Sequence, residues 1–194
     1  MSKLLILTAI TCLIVSDCFT QKQADSAFYS SKQSQRLSKK SGKWNVVMTL
    51  QPTIDAKPVT IKNLEAERTM IGAFCLNEVM QPAHGASMPL FKRISDFMYN
   101  FNEVRWDYIS IDTRITAGIM NFINFENRGD SIVSYIMNFP HPGLGPQQTD
   151  RGKNVKVRNV IITISETHDM VKQYWTLTDG KEWLAVSYDY NRMQ

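Results

Sequence analysis

Cysteine is scarce in this 194-residue chain, and its placement excludes a disulfide framework. Cys12 and Cys18 fall near the N-terminus, which leaves Cys75 alone in the body of the chain with no C-x-x-C or Cys/His metal pattern around it. Histidine is as rare. His84, His141 and His168 fall in expected turns or at strand starts, none within metal-ligand spacing of another. No metal and no cofactor is therefore expected, and Pro140-His141-Pro142 reads as a loop-shaping tripeptide. The chain lacks a nucleophile elbow, a P-loop and a Rossmann fingerprint. Gly143-Leu144-Gly145-Pro146 has no strand–turn–helix around it and reads as a loop. Capped helical periodicity is missing after Lys43, which argues against βαβ architectures.

Long apolar runs are also missing, with one exception. Lys3 followed by the apolar residues 4–15 and then small residues predicts a signal peptide over residues 1–20. The run is too short for a stable bilayer span, so an exported protein, periplasmic or secreted, is expected, with no transmembrane segment. Lipid attachment at Cys18 is the less favoured route, because Asp17 stands where a lipobox needs a small residue.

What is present is an ordinary globular balance, 43% apolar and 21% charged, enough for one domain with a full core. The net charge of +4 gathers partly in residues 21–41 and just beyond, where Lys32, Arg36, Lys39, Lys40 and Lys43 meet no acid. This stretch reads as a solvated basic tail or a short helix docking through Phe28, Leu37 or Tyr29. No nucleic-acid partner is expected.

From residue 42 to 194, runs rich in Val, Ile, Thr, Phe, Tyr and Trp recur between turn signals. They predict strands over 43–50, 59–69, 73–80, 90–97, 104–111, 118–126, 131–139, 153–165, 170–178 and 181–192. Short links in series favour an all-β, up-and-down antiparallel barrel, which removes exposed edges. The last strand alternates, with Leu184, Val186, Tyr188 and Tyr190 on one face.

Four polar residues stand on apolar faces: Arg68 with Leu64, Ala66 and Met70; Glu78 with Phe74, Leu76 and Met80; Arg158 with Val160, Ile162 and Ile164; Gln173 with Val171, Trp175 and Leu177. If these faces point inward, the charges must pair with each other, with water or with a ligand. A structural Arg–Glu network and a head-group site above an apolar pocket are both open. Trp106, Tyr108, Trp175 and Tyr188 could line such a pocket or simply pack the core.

Gly42-Lys43-Trp44 at the start and Arg192 at the end resemble the calycin signature, in which an indole and a guanidinium stack to close the barrel. Arg68-Thr69-Met70 with Phe74 and Glu78, then Met88-Pro89-Leu90-Phe91, Tyr99-Asn100, Asp112, Gly118-Ile119-Met120, Arg158, Thr163-Ile164, Asp179-Gly180-Lys181-Glu182-Trp183 and Tyr188-Asp189-Tyr190-Asn191-Arg192, resemble in order the motifs of DUF1579, a calycin-like family of unknown function. The resemblance runs from about Leu37 to Arg192 and implies a roughly ten-stranded barrel and a pocket, with no reaction attached. Ser110 stands where the family pattern has tryptophan, and Gln173 and Ser187 stand where it has glutamates. The leading expectation is a non-catalytic barrel holding a small apolar or amphipathic ligand. The rivals are a structural barrel with a packed interior and an enzyme using Glu78 as acid or base.

Overall fold

The computed structural model describes residues 27–115, 118–128, 131–143 and 150–194. The leader expected over residues 1–20 and the Leu144-Gly145-Pro146 part of the long loop lie outside them. A short helix, α1 (Lys32–Ser38), precedes ten strands: β1 (Gly42–Leu50), β2 (Val59–Ile71), β3 (Cys75–Pro82), β4 (Arg93–Asn100), β5 (Arg105–Asp112), β6 (Met120–Arg128), β7 (Ser131–Pro140), β8 (Asn154–Ser165), β9 (His168–Thr176) and β10 (Glu182–Arg192). Each strand pairs antiparallel with its sequence neighbours, and β1 pairs with β10, so the sheet closes into an up-and-down barrel. All ten expected strands form, with ends shifted by a few residues.

Closure follows from the first and last strands. Trp44 lies opposite Arg192 in the β1–β10 register. The Arg192 Cζ is 5.9 Å from the Trp44 ring centroid, and its Nη groups donate to the Lys39 and Ser41 carbonyls. Trp44 is fully buried and donates its indole N–H to the Lys40 carbonyl at 3.1 Å. Gly42 has φ +127°, and a Cβ there would sit 3.2 Å from Arg192 Nη2, so the glycine serves both the backbone and the close approach of the guanidinium.

Helix α1 covers this end of the barrel. Ser31 caps it by accepting the Ser34 N–H at 3.1 Å. Leu37 plugs the barrel mouth with Leu76, Tyr99, Trp106 and Ile132. Phe28 only stacks on Phe101 at 4.8 Å, and Tyr29 stays exposed, so Leu37 is the docking residue.

Bulges change which residues face inward. The β9–β10 register shifts between Leu184 and Val186. Trp183 and Ala185 point inward before the bulge, and Val186, Tyr188 and Tyr190 after it. Leu184 is therefore on the outer face, contrary to the simple alternation expected for this strand. Similarly, β2 slips against β1 between Val46 and Met48, and Asn63 takes a positive φ of 61° in the extra stretch.

Candidate functional site

A chain of charges crosses the barrel interior. Lys40 Nζ donates to Asp169 Oδ1 at 2.6 Å, and Arg68 Nη1 donates to Asp169 Oδ2 at 2.7 Å. Arg68 Nε donates to Glu78 Oε2 at 2.8 Å, and Arg93 Nη2 donates to Glu78 Oε1 at 2.6 Å. Signs alternate from Lys40 through Asp169, Arg68 and Glu78 to Arg93, and all five residues are buried. Tyr190 joins the last link, accepting from Arg93 Nη2 at 2.6 Å and donating to Glu78 Oε1 at 3.1 Å. Aromatic faces insulate the guanidiniums: Arg68 Cζ lies 4.6 Å from the Trp44 centroid and 4.3 Å from that of Tyr190, and Arg93 Cζ lies 4.2 Å from that of Tyr188.

Burial alone would raise the Glu78 carboxyl, but the charges and hydrogen bonds of Arg68 and Arg93 outweigh it and hold it at about 2, below the ordinary 4.5. Burial pushes the Tyr190 phenol well above its ordinary value, so it stays neutral in the chain. A carboxylate held this firmly ionised, with both oxygens engaged, is a poor general acid or base at neutral pH. Both Glu78 oxygens are engaged, by Arg68 on one side and by Arg93 and Tyr190 on the other, and this arrangement lends the acid–base role no support.

The chain divides the interior. Toward α1 there is a small void of about 60 Å³ bounded by Leu37, Arg68, Glu78, Tyr108 and Asp169. Toward the opposite end lies a cavity of about 180 Å³. Its apolar wall includes Met48, Met120, Phe122, Phe139, Val157 and Trp175, and its polar wall is Arg93, Ser110, Asp112, Arg114, Gln173 and Tyr188. At its rim Arg114 is held by Asp112 through Nε–Oδ1 at 2.9 Å and Nη2–Oδ2, and its guanidinium lies 3.7 Å from the Phe91 ring centroid. Among the described residues, six side-chain polar atoms are buried without a hydrogen-bond partner. Arg93 Nε, Ser110 Oγ and Trp175 Nε1 belong to residues of this wall, and Ser41 Oγ, His141 Nε2 and Asn159 Oδ1 do not.

The expected site residues thus separate. Arg68 and Glu78 meet directly, as their shared register in β2–β3 requires. Gln173 and Tyr188 line the cavity. Tyr108 lies between Phe97 and Phe122, in the wall of the smaller void. Trp106 belongs to the plug under α1, stacked on Phe97 at 4.8 Å, away from the cavity. Arg158 is a correction. It faces outward, stacks on Tyr174 at 4.1 Å and pairs with Glu182 at 2.6 Å. The inward face of β8 is Val155, Val157 and Asn159. Both faces of this strand are rich in β-branched residues, so hydrophobicity could not choose between them, and a one-residue slip reverses every side chain.

Arg93, Asp169 and Lys40 were not anticipated as interior groups. Arg93 shares a face with Phe91, Phe97 and Tyr99, a signal the sequence carried. Asp169 stands one alternation before Val171, just outside the expected strand. Lys40 belongs to the basic stretch that reads as solvated, but the β8–β9 hairpin brings acids to it: Asp169 binds Lys40, and Glu166 binds Lys39 at 2.7 Å. His141 is buried against Trp175, ring centroids 5.1 Å apart, and its Nδ1 accepts the Gly143 N–H at 3.1 Å, which fits the loop-shaping reading. Burial lowers its pKa.

No helix among the described residues is long and apolar enough to cross a membrane. No family model matches the chain, and no curated protein matches it either. Among solved structures it is similar to Rv2717c from M. tuberculosis, with 14% identity over 84% of this chain and 99% of that one and a TM-score of 0.52. A redesigned beta barrel covers 85% of this chain at 14% identity, with 98% of its own length matched and a TM-score of 0.38. At such identity the likeness to Rv2717c bears on architecture alone: this chain is an all-β, closed ten-stranded antiparallel barrel with a short N-terminal helix.

Proposed function

We propose that the protein is a binding barrel that takes a small apolar or amphipathic molecule into the cavity lined by Arg93, Ser110, Gln173, Trp175 and Tyr188. The observation that carries this reading is an apolar cavity of about 180 Å³ whose wall also holds three buried polar groups without partners. A packed structural core would fill such a space and satisfy such groups, since each buried unsatisfied donor costs about 1–3 kcal/mol. Ser110 supports the reading from another side. The DUF1579 pattern, which we keep as a proposed membership, expects tryptophan here, and a serine on the cavity wall leaves that volume open.

An engineered apolar cavity of about 150 Å³ accepts benzene, so the occupant has the size of one ring or a short chain. Titration with monocyclic and six- to eight-carbon amphiphiles, read by thermal denaturation, tests the proposal. A binder present at a hundred times its Kd should add about 2.7 kcal/mol of stability. Ser110→Trp should fill the cavity and abolish that gain while the barrel stays folded. If no member of the series raises the transition, the interior is a packed structural core and the proposal fails.

A further inference from the structure

We infer that the cavity's ligand is a small monoanion, a carboxylate or its equivalent on an apolar body of about one ring, and that Arg93 and Arg114 select it. This rests on the binding reading above and specifies its chemistry. The charge pattern of the interior carries the inference. The buried chain holds three cations, Lys40, Arg68 and Arg93, but only two anions, Asp169 and Glu78. Its two ends are both cationic. The Lys40 end has further acceptors at hand: its Nζ also donates to the Ser165 carbonyl at 2.6 Å, near the exposed Glu166. Among the described residues, the Arg93 end has none beyond Glu78 and the Tyr190 hydroxyl, and its Nε is unpartnered.

That one surplus charge faces the cavity wall. The wall contains two guanidiniums, Arg93 and Arg114, and one carboxylate, Asp112, whose oxygens are both taken by Arg114. Asp112 lies opposite Arg93 in the β4–β5 register and matches Arg114, so the surplus that this wall presents is the chain's own single one, at Arg93, whose anion Glu78 is shared with Arg68. Arg93, Ser110 and Trp175 are 3%, 2% and 3% exposed, too buried for bulk water to compensate that charge. Trp175 Nε1 and Arg93 Nε can only donate, and Ser110 Oγ can do so; all three atoms lie just beneath the cavity surface, so a side-chain turn that brought them to a ligand would offer donors to an acceptor-only group. The remaining wall is apolar, with Met120, Phe122 and Phe139 to receive the ligand's body. A neutral ligand leaves the surplus charge unmatched, and a cation adds to it.

Calorimetric titration of the protein with benzoate, benzamide and benzylammonium at low ionic strength tests this. Benzoate should bind at least tenfold tighter than benzamide, and benzylammonium should not bind. Arg114→Gln, at the partly exposed rim, should bring benzoate and benzamide to within about threefold of each other. Trp175→Phe keeps an aromatic ring and removes the donor; it should weaken benzoate by roughly ten- to a hundredfold and benzamide by less. Benzamide binding as tightly as benzoate to the unaltered protein would overturn the anion inference and leave the binding reading standing. Failure of all three probes, together with failure of toluene, would overturn the binding reading itself.

Discussion

Asp169 Oδ2 accepts a 2.7 Å hydrogen bond from Arg68 Nη1, joining two buried residues 101 positions apart. They stand on β9 and β2, which are separated by β10 and β1 and share no ladder. The contact therefore ties the barrel across its interior. Because Asp169 also binds Lys40 beside the C-terminal end of α1, it fixes the helical plug to the same point.

Removing the anion at this junction should be costly. Asp169→Asn leaves Lys40 buried without a carboxylate and Arg68 with Glu78 alone, which Arg93 also claims, and is expected to destabilise the fold by about 3–5 kcal/mol. Arg158→Ala, breaking a half-exposed pair on the outer face, should cost less than about 1 kcal/mol. Urea unfolding of both variants checks the contrast, and equal losses would mean that the inward and outward assignments do not govern stability.

The chain also predicts an acid transition. Glu78 is held at about 2 in the folded protein against an ordinary 4.5. Its contribution is full above about pH 4.5 and is lost as the pH falls toward 2, on the order of 3 kcal/mol in all. In Glu78→Gln this segment of the acid limb should vanish, although the variant starts less stable because Arg68 and Arg93 lose their shared anion. An unchanged slope of unfolding free energy between pH 4.5 and 2 would remove Glu78 from the chain's energetics.

The architecture was legible because strand runs, turn residues and the Trp44–Arg192 pair all point one way. Side-chain direction was legible where one face was clearly apolar. Arg68, Glu78 and Gln173 shared such faces and do point inward. Arg158 did not, since both faces of β8 carry Val or Ile. Leu184 misled for a different reason: the bulge at Ala185–Val186 reverses parity within the strand, and nothing in the alternation marks it. Lys40 and Asp169 needed tertiary knowledge, because a lysine in a basic tail becomes an interior group only once the β8–β9 hairpin sits over it.

Barrel closure is concentrated in Trp44. Trp44→Ala removes a fully buried ring that also supports Arg68, and should cost about 3–5 kcal/mol. Arg192→Ala loses a more distant stack and two carbonyl contacts and should cost about 1–2 kcal/mol. Chemical denaturation of the two variants should preserve that order.

The leader expectation has its own test. If residues 1–20 direct export, intact-mass analysis of exported protein should show a new N-terminus between Phe19 and Gln23. Full-length chain in the cytoplasm, starting at Met1 or Ser2, would reject it.

The central claim is that the cavity beyond Arg93 receives a ligand, and the four tryptophans allow it to be watched directly. Trp44 and Trp183 have indole N–H groups bonded to the Lys40 and Gln51 carbonyls, and Trp106 lies under the helical plug. Trp175 alone lines the cavity with an unpartnered Nε1. In a nitrogen–proton correlation spectrum titrated with benzoate and then with toluene, the Trp175 indole signal should move saturably, while those of Trp44 and Trp106 stay in place. A Trp175 signal that neither compound moves would contradict the account.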